Sequence, residues 1–270
     1  MKKVLFIIVA LTAVLFVGAS AQDYAMAGPS TLYDVPPRWL IDIPTAGTLP
    51  RANYQIGFRF YPGGGSIGFT DIGLSNRLQL GISYGGEDVI SNGHPNWNPR
   101  IEFNIKFRPI DERAQFPGVT VGFCSQGFGA WNSDFDRYAF KSRGFFAVIS
   151  RSFYFYDWTA GWHGGVNYSL ENDLDEDKDI NGFVGIDATF KYNLALLMEY
   201  DAALNDDKST LPNGNSYPYA GKGRGYLNLS VKWLFSENLE LEALIKDLLV
   251  NRRESDTITR EIRLTYIDRF

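Results

Sequence analysis

From residue 258 to Phe270 the chain reads I-T-R-E-I-R-L-T-Y-I-D-R-F. Alternate positions give Ile258, Arg260, Ile262, Leu264, Tyr266, Asp268 and Phe270 on one side. The other side carries Thr259, Glu261, Arg263, Thr265, Ile267 and Arg269. Side chains of an extended strand point alternately to opposite faces, so this is a strand with one mostly apolar and one mostly polar face. It finishes on an aromatic residue. If such a strand seals a cylinder, the chain should supply an even number of similar strands, joined alternately by short turns and long loops.

The chain meets that demand. Tyr54, Ile56, Phe58 and Phe60 alternate with Asn53, Gln55 and Arg59, and Leu78, Leu80, Ile82 and Tyr84 alternate with Arg77, Gln79 and Ser83. Ile101, Phe103, Ile105 and Phe107 oppose Arg100, Glu102, Asn104, Lys106 and Arg108, the strongest such pattern in the chain. Comparable segments cover 119–123, 158–168, 184–188, 194–201, 227–233 and 239–246. A Gly-rich strand near 66–74 has no clear phase, and one within 141–153 has two. The total is about twelve strands of the length a tilted membrane strand needs. Beyond the first hairpin, short connections alternate with longer loops (85–99, 127–138, 169–181, 202–223 and one near 250–256). A sandwich does not order its connections in this way. The apolar face stays on one side throughout. About twelve strands enclose too wide an interior for single side chains to pack dry, so the apolar faces are expected to meet lipid. The fold class is therefore an all-β, antiparallel, up-and-down transmembrane barrel with both termini periplasmic.

Residues 1–21 carry Lys2 and Lys3, an apolar run from 4 to 17, and Ala19-Ser20-Ala21. These are the parts of a cleaved signal peptide. No later run of about 18 apolar residues offers a membrane helix. Residues 22–50 contain five prolines together with Trp39-Leu40-Ile41. They read either as a periplasmic linker or as a plug in the barrel mouth. The barrel proper is expected over 51–270. A net charge of −5 provides no basic footprint for nucleic acid. The single cysteine, Cys124, excludes an intrachain disulfide.

The inward phase supplies the lumen-lining candidates: Arg59, Arg77, Arg100, Glu102, Lys106, Arg108, His163, Glu199, Asp201, Lys232, Glu242, Lys246 and Arg263. Charges of both signs suit a hydrated, weakly selective pore, and equally a salt-bridge network that closes the lumen. No catalytic set is evident. The two histidines are His94, in a turn-rich loop, and His163, which faces inward without an evident serine partner. In the acidic run 171–179, Asp175, Asp177 and Asp179 are the weak metal candidates. The calcium-loop template fails there: counted from Asp173, Lys178 takes the glycine position and Val184 the glutamate position. No metal or cofactor is expected.

A terminal strand ending on Phe resembles the closing strands of bacterial outer-membrane barrels. That resemblance makes Tyr266 and Phe270 the expected assembly signal, and the barrel-assembly machinery, outer-membrane lipid and lipopolysaccharide the expected partners. The stretch I-P-T-A-G-T-L-P-R-A-N-Y from Ile43, with L-S-N-R-L-Q-L-G-I-S-Y-G-G-E, N-W-N-P-R, G-F-C-S-Q-G-F-G, K-S-R-G-F and H-G-G-V-N-Y-S-L, resembles the YjbH-type outer-membrane proteins. The resemblance runs from about residue 43 to 270, on turn and strand signatures. It implies a non-enzymatic outer-membrane barrel linked to export or assembly of exopolysaccharide, with polysaccharide or its export proteins as partners. This chain is shorter than the two-part members of that family. A general small-solute or oligosaccharide channel is the alternative, and an outer-membrane lipid hydrolase the third reading.

Overall fold

The structure is a computed structural model that describes residues 37–190 and 193–270. The expected signal peptide and residues 22–36 lie outside the described residues. The strands are β1 (Asn53–Tyr61), β2 (Gly65–Ser75), β3 (Leu78–Glu87), β4 (Asn96–Trp97), β5 (Glu102–Ile110), β6 (Gly118–Cys124), β7 (Phe128–Asn132), β8 (Arg137–Phe140), β9 (Gly144–Tyr154), β10 (Trp158–Tyr168), β11 (Asn181–Phe190), β12 (Leu194–Asp201), β13 (Tyr226–Leu234), β14 (Leu239–Lys246) and β15 (Thr259–Arg269).

Thirteen of these form one antiparallel sheet, and leaving out the two-residue β4 gives a ring of twelve. The ring closes where β15 meets β1, from Asn53↔Arg269 to Phe60↔Ile262. Closure removes the sheet edges that a bilayer could not hydrogen-bond. Both ambiguous strands are now in phase: β2 pairs with β1 through Tyr54↔Ile72, and β9 pairs with β10 through His163↔Ser150. β7 and β8, within the stretch read from sequence as a plain loop, form a separate hairpin.

Connections after β2, β5, β9, β11 and β13 lie at the end where β1 starts and β15 finishes. Those after β1, β3, β6, β10, β12 and β14 lie at the other end, which carries the long loops. Outward side chains such as Phe58, Phe103, Ile105, Leu196, Met198 and Val231 are 39–59% exposed. An apolar belt around a whole barrel far exceeds what soluble monomers expose, and it suits acyl chains. Aromatic contacts rim the belt. Phe155, Trp158 and Phe190 stack at the short-turn end, with Tyr54 on Phe270 there too, and Tyr84 stacks on Trp97 at the loop end.

The core of the molecule lies inside the ring. Leu40, Ile41, Ile43 and Leu49 have no solvent exposure. The first three pack with Cys124, Phe146, Val148, Phe183, Ala195, Leu197 and Leu244, which project inward from β6, β9, β11, β12 and β14. This explains the two phases of β9, because Phe145 and Ile149 face out while Phe146 and Val148 face this core. Gly185 on β11 leaves the space it needs: a methyl carbon there would lie 2.3 Å from Leu40 Cδ1. The side chains of the wall do not fill so wide a ring by themselves. A segment of the same chain fills it.

Candidate functional site

Residues 38–45 form a tight hairpin inside the lumen. Leu40 N–H donates to Ile43 O at 3.0 Å and Thr45 N–H to Arg38 O at 3.2 Å. Residues 46–52 tether it to the start of β1, so the hairpin enters from the short-turn end with its tip, Ile41-Asp42, near the loop end.

A hairpin without a sheet must find partners for its backbone groups, and here the barrel wall supplies them. At the tip, Ile41, Asp42 and Ile43 donate their N–H groups to the Glu199 carboxylate at 2.9–3.0 Å. Asn228 donates to the same carboxylate at 2.7 Å. Arg263 donates to the carbonyls of Leu40 (2.7 Å) and Ile41 (3.1 Å), and Arg143 to that of Asp42 (3.1 Å). Lys106 holds the stem through Arg38 O at 2.5 Å and Gly47 O at 2.6 Å. Thr120, Ser150 and Gln79 bind Ala46 O, Ala46 N–H and Leu49 N–H respectively. Charged groups make many of these bonds, and those are the stronger kind.

The Asp42 side chain completes the tip. Its carboxylate lies 2.7 Å from both Arg59 Nη2 and Lys246 Nζ, and Glu261 contacts the same two cations at 2.5 and 3.5 Å. Burial alone would push the Asp42 carboxyl up. Arg59 and Lys246 overcome that and hold it below the ordinary carboxylate range.

A second closure sits over the tip. The β7–β8 hairpin folds inward, placing the Phe128 ring 4.0 Å from Arg59 Cζ and the Phe140 ring 3.8 Å from Lys246 Nζ. Arg137 fixes this lid through a fork to Asp206 (2.6 and 3.3 Å). Tyr138 N–H and Ser142 N–H donate to Glu171, and Lys141 reaches Asp175 at 2.6 Å. The space left beside the tip, lined by Asp42, Phe140, Arg143, Asn167 and Asp201, is about 20 Å³. That is room for a single water.

Of the expected lumen residues, Arg59, Glu102, Lys106, His163, Glu199, Asp201, Lys232, Glu242 and Lys246 are buried inside, and Arg263 is nearly so. Glu242 pairs with Arg263 at 2.5 Å, Asp201 with Arg143, and Lys232 with Glu240 at 3.6 Å. Three belong to the rims. Arg77 lies in the turn before β3, half exposed on Asp111, because the strand begins one residue later than the alternation suggests. Arg108 joins it on Asp111 at 3.1 Å, and Arg100 precedes β5, half exposed and 3.0 Å from Glu102. Asp42, Arg143, Gln79 and Ser150 were not among the candidates. Of these, Gln79 sat on the inward phase already.

His163 does have a serine partner, which the linear sequence could not show because the two meet across strands β9 and β10. Its Nδ1 lies 2.7 Å from Ser150 Oγ and its Nε2 2.8 Å from Asp187 Oδ1. The arrangement resembles a hydrolase triad with the two ring nitrogens exchanged. With Nε2 protonated every group is satisfied: His163 donates to Asp187, and Ser150 donates to His163 while accepting Ala46 N–H at 2.8 Å. The hydroxyl is thereby committed to the plug. The acidic run has no free ligand set. Asp175 is bound by Lys141, Asp177 lies 3.3 Å from Lys208, and Asp179 is exposed. No metal-holding cluster occurs among the described residues. At the closing strand, Tyr266 donates to Asp268 at 2.7 Å and Phe270 is 77% exposed.

No family model matches the chain, and no curated protein does. Among solved structures it is similar to the KdgM porin (8% identity, TM-score 0.43, over 81% of this chain and 99% of that one). It is also similar to the NanC porin (10% identity, TM-score 0.44, over 80% and 99%). An outer-membrane channel from Pseudomonas putida F1 aligns at 10% identity and TM-score 0.44, over 82% and 97%. The twelve-stranded barrel itself is established by the strand pairing.

Proposed function

We propose that this protein is a non-enzymatic outer-membrane barrel whose lumen is a saccharide passage, held shut at rest by residues 37–50. One observation carries this reading: the lumen is filled by a tethered hairpin that is not part of the wall. A barrel of about eight strands can fill its interior with wall side chains alone, and one of twelve has room for more. Here the wall presents Glu199, Lys106, Arg263 and Thr120 to backbone groups of the plug, and water or a hydroxylated cargo offers equivalent partners once the plug leaves. Short turns and both chain ends then face the periplasm, and the long loops face outward. The resemblance to YjbH-type proteins directs the reading toward envelope polysaccharide and its export machinery. A general small-solute channel would share the gate but not the saccharide preference.

The test is uptake by liposomes containing the refolded protein. Intact protein is expected to admit little sugar, and a variant lacking residues 38–46 to admit oligosaccharides. If that variant, migrating as a folded barrel, admits none, the passage reading fails.

A further inference from the structure

We infer that the connection between β5 and β6 builds a binding site for the phosphate group of an anionic phospholipid, at the short-turn rim of the barrel. The other connections at this end are tight turns, whereas residues 111–117 form a braced loop. Arg113 and Phe116 exchange backbone hydrogen bonds at 2.9 and 3.2 Å. Glu112 accepts Ser152 N–H at 2.5 Å and Ser152 O–H at 2.9 Å. Arg151 donates to the carbonyls of Arg113, Ala114 and Phe116. On β9 Arg151 shares the phase of Phe145 and Ile149, so it clips the loop from the outward side of the wall.

Beside the loop is an open cavity of about 220 Å³, lined by Arg77, Pro109, Ile110, Asp111, Arg113 and Phe116. It is an order of magnitude larger than the space beside the plug tip. Its two sides differ in chemistry. Ile110 lies on the outward row with Val119 and Ile149, and both Ile110 and Phe116 are exposed, so this side carries the apolar belt up to the rim. The other side is cationic. Arg77 and Arg108 share a single carboxylate, Asp111. Among the described residues the Arg113 side chain has no hydrogen bond or ion pair, and Arg151 meets only carbonyls. Counting Glu112, four arginines stand against two carboxylates, on a chain whose net charge is −5. Arg51 and Asp157, in the adjoining rim segments, add one charge of each sign. The planar fork of an arginine matches phosphate oxygens, and basic pockets at a bilayer surface take anionic headgroups. A lipid uses both sides at once: its phosphate meets the guanidinium groups while its acyl chains continue along Ile110 and Phe116. A soluble phosphate would use the cations alone, and an acidic peptide would have to enter a cavity whose apolar side faces the bilayer.

The experiment adds phosphatidylglycerol, phosphatidylcholine, inorganic phosphate or tetraglutamate to the refolded protein in micelles, and reads bound ligand by native mass spectrometry. Phosphatidylglycerol is expected to be retained in preference to phosphatidylcholine, whose choline cation would face the arginines. One arginine at a headgroup contributes about fivefold in affinity. Arg113→Gln is therefore expected to weaken phosphatidylglycerol binding about fivefold, and Arg77→Gln with Arg113→Gln about twentyfold. Both side chains are exposed, and Arg108 keeps Asp111 paired at 3.1 Å, so both variants should still migrate as folded barrels. Lys208→Gln removes a cation from the loop end and should leave binding unchanged. Undiminished binding by the double variant, or an equal loss on Lys208→Gln, overturns the inference. Inorganic phosphate held as tightly as the lipid would make this a soluble-anion site, and tetraglutamate held as tightly would make it a surface for a peptide. Either result overturns the inference as well.

Discussion

Glu199→Ala tests how the plug is held. The side chain has no solvent exposure and takes the N–H groups of Ile41, Asp42 and Ile43 at 2.9–3.0 Å. A hydrogen bond to a charged acceptor is worth about 1.5–3 kcal/mol. Three donors share one carboxylate, and a water entering the vacated space recovers part of the loss. Undocking should therefore become easier by about 2–4 kcal/mol in all. The apolar side opposes release. Burying Leu40, Ile41 and Ile43 contributes roughly 1.5–3 kcal/mol each, so the plug should stay docked most of the time but open far more often. Hydrogen exchange of the peptide spanning 38–45 reads this directly. Protection at residues 41–43 is expected to fall about 30- to 1,000-fold, at a tenfold change per 1.4 kcal/mol. Exchange in the barrel strands should not change. A fall of less than about threefold would refute the claim that Glu199 holds the tip.

The remaining expectations concern pH, lipid and topology. Asp42 has a folded value below its unfolded one, so its contribution is present above about pH 4 and lost only as pH falls through the folded value. Exchange at residues 41–43, corrected for intrinsic rate, should not rise between about pH 7 and pH 5, and steady loosening over that range would contradict the pairing. Glu171 behaves oppositely, because burial pushes its carboxyl up. Its contribution is fully present near the ordinary glutamate value of about 4.3 and declines as pH rises through the folded value. Amides of Tyr138 and Ser142 should therefore gain protection on mild acidification. Ile105→Arg places a charge midway along β5 on the outward face. It should destabilise the barrel in vesicles by about 2–4 kcal/mol, against about 0–1 for Phe270→Arg at the rim, and equal costs would refute the orientation. Trypsin added to intact cells should cut after Lys208, whose side chain is 42% exposed. Protection there, with cutting at Arg77, would invert the topology.

Most of the barrel was legible because alternation survives in single sequences wherever one face meets lipid. β5, β12, β13 and β15 show it in full. It failed at β9, where both faces are apolar because one packs on the plug, and at β2, where Gly65, Gly68 and Gly73 carry no side-chain signal. The lumen charges were legible as a set but not as pairs. Which cation meets which carboxylate depends on cross-strand register, as with Ser150 opposite His163. Trp39-Leu40-Ile41 in a proline-rich stretch hinted at a plug. Its clamp could not be read, because Glu199 binds backbone N–H groups, which every residue except proline possesses. The lid was missed for a related reason. Phe128 and Phe140 are separated by turn residues without alternation, and they are held by cations from distant strands.

The central claim is that residues 37–50 shut the lumen, and a reversible lock tests it most directly. A methyl carbon on Gly118 would lie 3.4 Å from Ala46 Cβ, close to the roughly 3.5–4.5 Å spacing of a disulfide. Ala46→Cys with Gly118→Cys, combined with Cys124→Ala and Glu199→Ala, therefore ties a loosened plug to β6. In planar bilayers the oxidised protein should be silent, and adding a reductant should produce conductance in the same membrane. Equal conductance before and after reduction, with the disulfide verified, would show that ions do not pass where the plug sits.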